Sequence, residues 1–150
     1  MEIGDKLPEL LGYDAEGKEV KASDFAGKPL IVYFYPKDNT PGCTAEACSL
    51  RDGYAELRDL GYEIIGISKD SAASHAKFAG KHSLPFILLS DPEGKVNSEF
   101  GVWQLKKMCG REYMGTVRTT FVSDADHQIT HIIKKVDTKN AATQLLETVK

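Results

Sequence analysis

The chain has 150 residues, of which 41% are apolar and 27% charged, and its net charge is −3. That length and balance predict one globular domain, large enough to bury about 70% of its unfolded surface without staples. The charge excludes a basic field for collecting nucleic acid or acidic lipid, and the densest basic points, "KK" at 106–107 and 134–135, read as solvated faces.

The opening "MEIGDKLPEL" lacks the basic region and apolar core of a signal peptide, and the longest apolar run, "LIVYFY" (30–35), is too short to span a bilayer. The expectation is a soluble, cytoplasmic protein with no membrane partner. Three cysteines are an odd count and do not suit a secreted disulfide framework. In a reducing compartment a close cysteine pair points instead to metal binding or catalysis.

In chain order, the first segment turns at "DAEGK" (14–18) and predicts an edge hairpin. "LIVYFY" (30–35) is almost wholly apolar, as a strand buried on both faces should be. A helical pattern covers 43–60, followed by a strand at "YEIIGIS" (62–68) and a helix at "SAASHAKFAGKH" (71–82). His75 and His82 on that polar helix are expected at the surface. "FILLS" (86–90) is the next strand. The stretch 91–117 shows no clear element beyond a short helix at 96–100, and a loop of that length is uncommon and often functional. "TTFVS" (119–123) and "QITHIIKKV" (128–136), joined by "DADH", predict an antiparallel hairpin, and "KNAATQLLETV" (139–149) predicts a last helix. The βαβαβ order predicts an α/β fold, a central mixed sheet with a parallel core flanked by helices.

Chemistry concentrates in "YPKDNTPGCTAEACS" (35–49). Thr40 is a plausible N-cap and Pro41 suits the first helical position. Cys43 then falls at the third helical position, among unpaired N–H groups at the positive end of the helix dipole, where reactive cysteines are found. Cys43, Ala47, Leu50, Tyr54 and Leu57 follow spacings of 4, 3, 4 and 3, one inward face. Cys48 lies ~140° around the helix, with its Cα roughly 8.6 Å from that of Cys43. A disulfide needs Cα atoms within about 7 Å, so an intact helix cannot join the two; pairing them requires the first turns to unwind. Gly53 lowers the cost of such melting.

The alternatives are a core cysteine, a metal ligand or a redox pair. Zinc typically joins a C-x2-4-C pair to a second cysteine pair or two histidines; the C-x4-C here is at the wide end of that range, Cys109 comes 61 residues after Cys48 and no C-x-x-H follows. His127 and His131 span a turn and strand, where a spacing of four is no ligand signature. A C-x-x-C disulfide-reductase motif is absent. A Cys–His hydrolase needs a histidine beside Cys43, which the sequence leaves open.

The segment "YFYPKDNTPGCTAEAC" resembles the peroxiredoxin signature Pro-x-x-x-Thr/Ser-x-x-Cys, here Pro36, Thr40 and Cys43. Cys48 matches the bacterioferritin comigratory protein, or peroxiredoxin Q, subfamily. "LSDPEGKVNSEFGVW" (89–103) and "YMGTVRTTFVSDADHQI" (113–129) resemble its later segments, so the likeness covers most of the chain.

The resemblance implies a thioredoxin-like fold and a thiol peroxidase acting on hydrogen peroxide and organic hydroperoxides. Cys43 would be the peroxidatic cysteine, oxidised to a sulfenic acid, and Cys48 the resolving cysteine that condenses with it to a disulfide. Thioredoxin, with glutaredoxin as the other candidate, would reduce that disulfide. The cycle implies no cofactor and no metal, and being self-contained it favours a monomer. Thr40 would offer its hydroxyl to sulfur or peroxide and Pro36 would shield the pocket floor. Arg118 would hold the sulfur and polarise the peroxide, with the Gly42 and Cys43 N–H groups as further donors. Glu46 matches a position often acidic or amide in the family. Trp103 and Tyr113 are candidates for the substrate mouth. Cys109 departs from the subfamily pattern and reads as a bystander thiol, with a mixed or intermolecular disulfide as the alternative. A redox-switched sensor or holdase using the same disulfide is the alternative.

Overall fold

The computed structural model describes residues 1–149. The strand predicted at 30–35 forms as β3 (Leu30–Phe34), every residue of it buried, with Tyr35 buried just beyond. Side chains alternate across a strand. Leu30, Val32 and Phe34 therefore enter one core with Leu11, Ile65, Leu89, Phe100 and Phe121, while Ile31, Tyr33 and Tyr35 enter the opposite core with Cys43, Ala47, Leu50 and Phe78. Each such buried side chain contributes roughly 1.5–3 kcal/mol by leaving water.

Further strands are β1 (Leu10–Tyr13), β2 (Glu19–Lys21), β4 (Glu63–Ser68), β5 (Ile87–Ser90), β6 (Trp103–Met108), β7 (Arg111–Thr116), β8 (Thr119–Ser123) and β9 (Ile129–Ile133). Among the described residues the main sheet has the order β2-β1-β5-β4-β3-β8-β9. β3, β4 and β5 are parallel, whereas β1–β2, β3–β8 and β8–β9 are antiparallel, giving the expected mixed sheet with an N-terminal edge hairpin. The helices are α1 (Pro41–Asp52), α2 (Tyr54–Asp59), α3 (Ala72–His82), α4 (Lys95–Glu99) and α5 (Ala141–Val149). Side chains of α1, α2, α3 and α5 pack on the face carrying Tyr33, and α4 packs on the other. No helix among the described residues is long and apolar enough to cross a membrane.

Two expectations change. The helix predicted over 43–60 is divided at Gly53, which caps α1 and opens α2. A Cβ at Gly53 would lie 2.4 Å from the Ala142 Cβ, so the glycine lets α5 approach the junction. The stretch 91–117 is no long loop. It holds α4 and then the β6–β7 hairpin, paired from Trp103↔Thr116 to Met108↔Arg111. The turn residues Cys109 and Gly110 both have positive φ, 53° and 78°, as a two-residue hairpin turn requires. The hairpin stands largely exposed, with Leu105, Met108, Tyr113 and Met114 facing solvent, so neither strand carries the alternating pattern that marks a half-buried one.

Candidate active site

The chain leaves β3 at the sheet's carboxyl end, turns at Pro36 and enters α1, so the Pro36–Thr40 loop and the first turn of α1 form one rim. Parallel sheets commonly carry their sites at that end. Pro36 is half-buried in the bend. Thr40 takes the N-cap position with extended dihedrals, as predicted, but its side chain does not cap the helix; its hydroxyl donates to the Lys37 carbonyl, 2.8 Å away. The Thr40 carbonyl accepts the first helical bond, from the Thr44 N–H at 2.8 Å.

Cys43 is the third residue of α1, and at 2% exposure it points inward as the helical phase requires. Arg118, one residue before β8, reaches it: Nη2 donates to the Cys43 Sγ at 3.3 Å while Nη1 donates to the Glu46 Oε1 at 2.8 Å. One planar guanidinium thus bridges two residues on adjacent turns of α1, a use of its fixed fork that an ammonium does not match. A Cβ at Gly42 would lie 3.2 Å from Arg118 Nη2, so the glycine leaves room for the guanidinium. The surface salt bridge that Arg118 would make in isolation is replaced by a half-buried one.

Glu46 is 1% exposed. Burial pushes its carboxyl up to about 7, with the hydrogen bond and charge of Arg118 pulling the other way. Burial disfavours charge on Arg118, but the Cys43 and Glu46 side chains more than offset it and raise the guanidinium further. Positive charge is therefore held over the Cys43 sulfur throughout the physiological range.

Of the two histidines expected at the surface of α3, His75 is buried and His82 is half-buried. His75 is 4% exposed, and its Nδ1 lies 2.7 Å from Asp38 Oδ2. Its Nε2 lies 3.1 Å from the Leu89 carbonyl oxygen. Asp38 also accepts from the Tyr35 hydroxyl at 2.6 Å and the Ser74 hydroxyl at 2.8 Å, and its N–H donates to Asp70 Oδ2 at 2.8 Å. Burial works to raise the Asp38 carboxyl, but the bonds from His75, Tyr35 and Ser74 hold it below its ordinary value. This network fastens the loop ahead of Cys43 to α3 and to the ends of β4 and β5. Asp38, Asp70 and His75 bring possible ligand atoms within 4.8 Å of one another, yet hydrogen bonds already occupy those atoms, so the cluster reads as a brace.

Cys48 is half-buried on the side of α1 facing α3, and its Sγ lies 3.7 Å from His82 Nδ1. The histidine near the pair thus stands beside the second cysteine. Its position was legible, since His75, Phe78, Ala79 and His82 recur at spacings of 3, 1 and 3, an inward face of α3. Cys43, Cys48 and Cys109 are all free thiols, and α1 is unbroken from Pro41 to Asp52. Trp103 lies beneath the Lys69 ammonium, 4.2 Å from the ring centre, and Tyr113 is exposed on the hairpin.

Residues 3–132 match the AhpC/TSA family. Peroxiredoxin Bcp of Bacillus subtilis is 47% identical over 150 residues, covering 100% of this chain and 96% of that one. Peroxiredoxin Bcp of Escherichia coli is 42% identical, covering 93% and 90%. Among solved structures, a cysteine-to-serine mutant of Xylella fastidiosa PrxQ superposes with a TM-score of 0.89 at 30% identity, covering 99% of this chain and 95% of that one. A structure of the Xanthomonas campestris bacterioferritin comigratory protein, described for its alkyl peroxide reduction activity, superposes with a TM-score of 0.84 at 32% identity, covering 96% of each. These neighbours are thioredoxin-fold peroxiredoxins.

Proposed function

Since the chain belongs to the AhpC/TSA family and is a thiol peroxidase of its Bcp/peroxiredoxin Q branch, we propose that Cys43 is its peroxidatic cysteine and Cys48 its resolving cysteine. The observation that carries the reading is the Arg118 guanidinium, donating to the Cys43 Sγ at 3.3 Å and anchored on Glu46 at 2.8 Å. The sulfur attacks one peroxide oxygen; the S–O bond forms, the O–O bond breaks, and the departing oxygen takes a proton to leave as water or alcohol. Arg118 stabilises the negative charge that moves from sulfur to the departing oxygen, with the Gly42 and Cys43 N–H groups as further donors. Thr40 and Pro36 shape the rim, Thr40 through the loop it closes on Lys37.

Cys48 then attacks the Cys43 sulfenic sulfur, the S–S bond forms and water leaves. Because both residues lie in one helix, this step requires α1 to unwind from its first turn. The reductant is thioredoxin, whose dithiol exchanges with the disulfide. The substrates are hydrogen peroxide and organic hydroperoxides; the alkyl peroxide reduction described for the Xanthomonas relative supports the second class. A cycle complete within one chain needs no partner subunit, so the enzyme is read as a monomer.

A sensor or holdase role draws on a different observation. Unwinding α1 exposes Leu50, 1% exposed in the reduced state, and Ala47, which is fully covered. A peroxidase assay coupled to thioredoxin and its reductase, run on wild type, Cys43→Ser and Cys48→Ser, separates the two. Turnover in wild type alone supports the enzyme; oxidation without turnover supports the switch.

A further inference from the structure

Thiolate, not thiol, is the nucleophile in disulfide formation, and an ordinary thiol is only about 3% ionised at pH 7. The proposed cycle therefore needs somewhere for the Cys48 proton to go. We propose that His82 is the base that takes it, an assignment that rests on the reading of Cys48 as the resolving cysteine.

Three observations carry this. The Cys48 Sγ lies 3.7 Å from His82 Nδ1, within reach of an S–H donating to a ring nitrogen. The other ring nitrogen, Nε2, is buried without a hydrogen-bond partner among the described residues, so the sulfur is the ring's one polar contact there. The ring is also held in place. It stands edge-on to Phe78, with centroids 5.2 Å apart, and its backbone carbonyl accepts from Arg51 Nη1 at 2.9 Å. That last bond fastens the end of α3 to the turn of α1 that follows Cys48.

Of the charged groups around the pair, Arg51 is paired with Asp52 at 3.0 Å and Lys81 donates to the Asn39 side chain at 3.3 Å.

The step balances without an outside oxidant. With its own proton on Nε2, His82 accepts the Cys48 proton at Nδ1. As α1 unwinds, the Cys48 sulfur attacks the Cys43 sulfenic sulfur, the S–S bond forms and the S–O bond breaks. The departing hydroxide takes a proton from solvent and leaves as water, and His82 returns the Cys48 proton to solvent, so that no net proton is gained or lost.

The test is rapid-quench thiol alkylation after one equivalent of hydrogen peroxide, on wild type, His82→Asn and His82→Phe. Asn keeps a hydrogen-bond acceptor near Nδ1 without the basicity, and Phe keeps the packing against Phe78. Oxidation of Cys43 is expected to proceed at the wild-type rate in both variants. Disulfide formation at about pH 7 is expected to slow by roughly tenfold or more in both, the gap closing at alkaline pH, where hydroxide can take the proton in place of the ring. Unchanged disulfide formation at pH 7, or a deficit of the same size at every pH, overturns the role of His82 while leaving Cys48 in place. A wild-type protein that forms no Cys43–Cys48 disulfide overturns the reading of Cys48, and the base with it.

Discussion

Arg118 and Cys43 lie 75 residues apart in sequence, yet the guanidinium Nη2 stands 3.3 Å from the sulfur, because β3 and β8 are antiparallel neighbours and deliver their ends to one rim. The same guanidinium holds Glu46, so the charge beside the sulfur is supplied by one side chain just ahead of the facing strand.

Replacing Arg118 separates charge from geometry. Arg118→Lys keeps the charge but not the fork, and Arg118→Met removes both. Peroxide consumption by Cys43 is expected to fall by about 10²–10³-fold in the Met variant, as for loss of a preorganised donor, and by less in the Lys variant. Stopped-flow measurement of the first oxidation step checks this; equal rates in all three proteins would remove Arg118 from the chemistry.

The Glu46 carboxyl rises from its ordinary 4.5 to about 7 in the folded protein, chiefly through burial. Between those values the folded state binds a proton that the unfolded chain has released. Stability from this group is therefore present below about pH 4.5 and lost as pH rises through 7, on the order of 3 kcal/mol. Glu46→Gln keeps an acceptor for Arg118 and does not titrate. Its urea midpoint, relative to wild type, is expected to rise between pH 5 and 8; a difference that stays flat with pH contradicts the assignment.

Gly53→Ala would ordinarily favour a helix by up to about 1 kcal/mol. Here the added methyl meets the Ala142 Cβ at 2.4 Å, and overpacking costs about 1–3 kcal/mol. The variant is expected to be less stable in chemical denaturation, and the double variant with Ala142→Gly to recover most of the loss.

Asp38→Asn removes the charge that faces His75 and alters three bonds inside the brace behind the Cys43 loop. The loss is expected to be about 1–3 kcal/mol, as for leaving buried hydrogen-bonding groups poorly paired. Thermal unfolding reads it, and wild-type stability would make the network dispensable.

The sheet core was legible because β3, β4 and β5 are buried runs separated by helical periods, and Cys43 was legible because its helix announces itself with Thr-Pro. The β6–β7 hairpin was not, since exposed strands carry no alternating pattern and Cys-Gly stands where Asn-Gly would have marked the turn. The need for glycine at residue 53 comes from Ala142, 89 residues away, and no local pattern carries such a contact. The Asp38–His75 brace was hidden for the same reason. His75 was discounted as polar although it shares a helix face with Phe78, and its partner lies on another element.

The most direct test is the mass of one peptide. Trypsin cleavage after Lys37 and Arg51 isolates residues 38–51, "DNTPGCTAEACSLR", which contains both Cys43 and Cys48. After one equivalent of hydrogen peroxide and alkylation of the denatured protein, this peptide is expected to be two hydrogens lighter than its reduced form and unalkylated, while the Cys109 peptide is fully alkylated. An alkylatable Cys48 in the oxidised protein, or a disulfide linking this peptide to Cys109, would contradict the account.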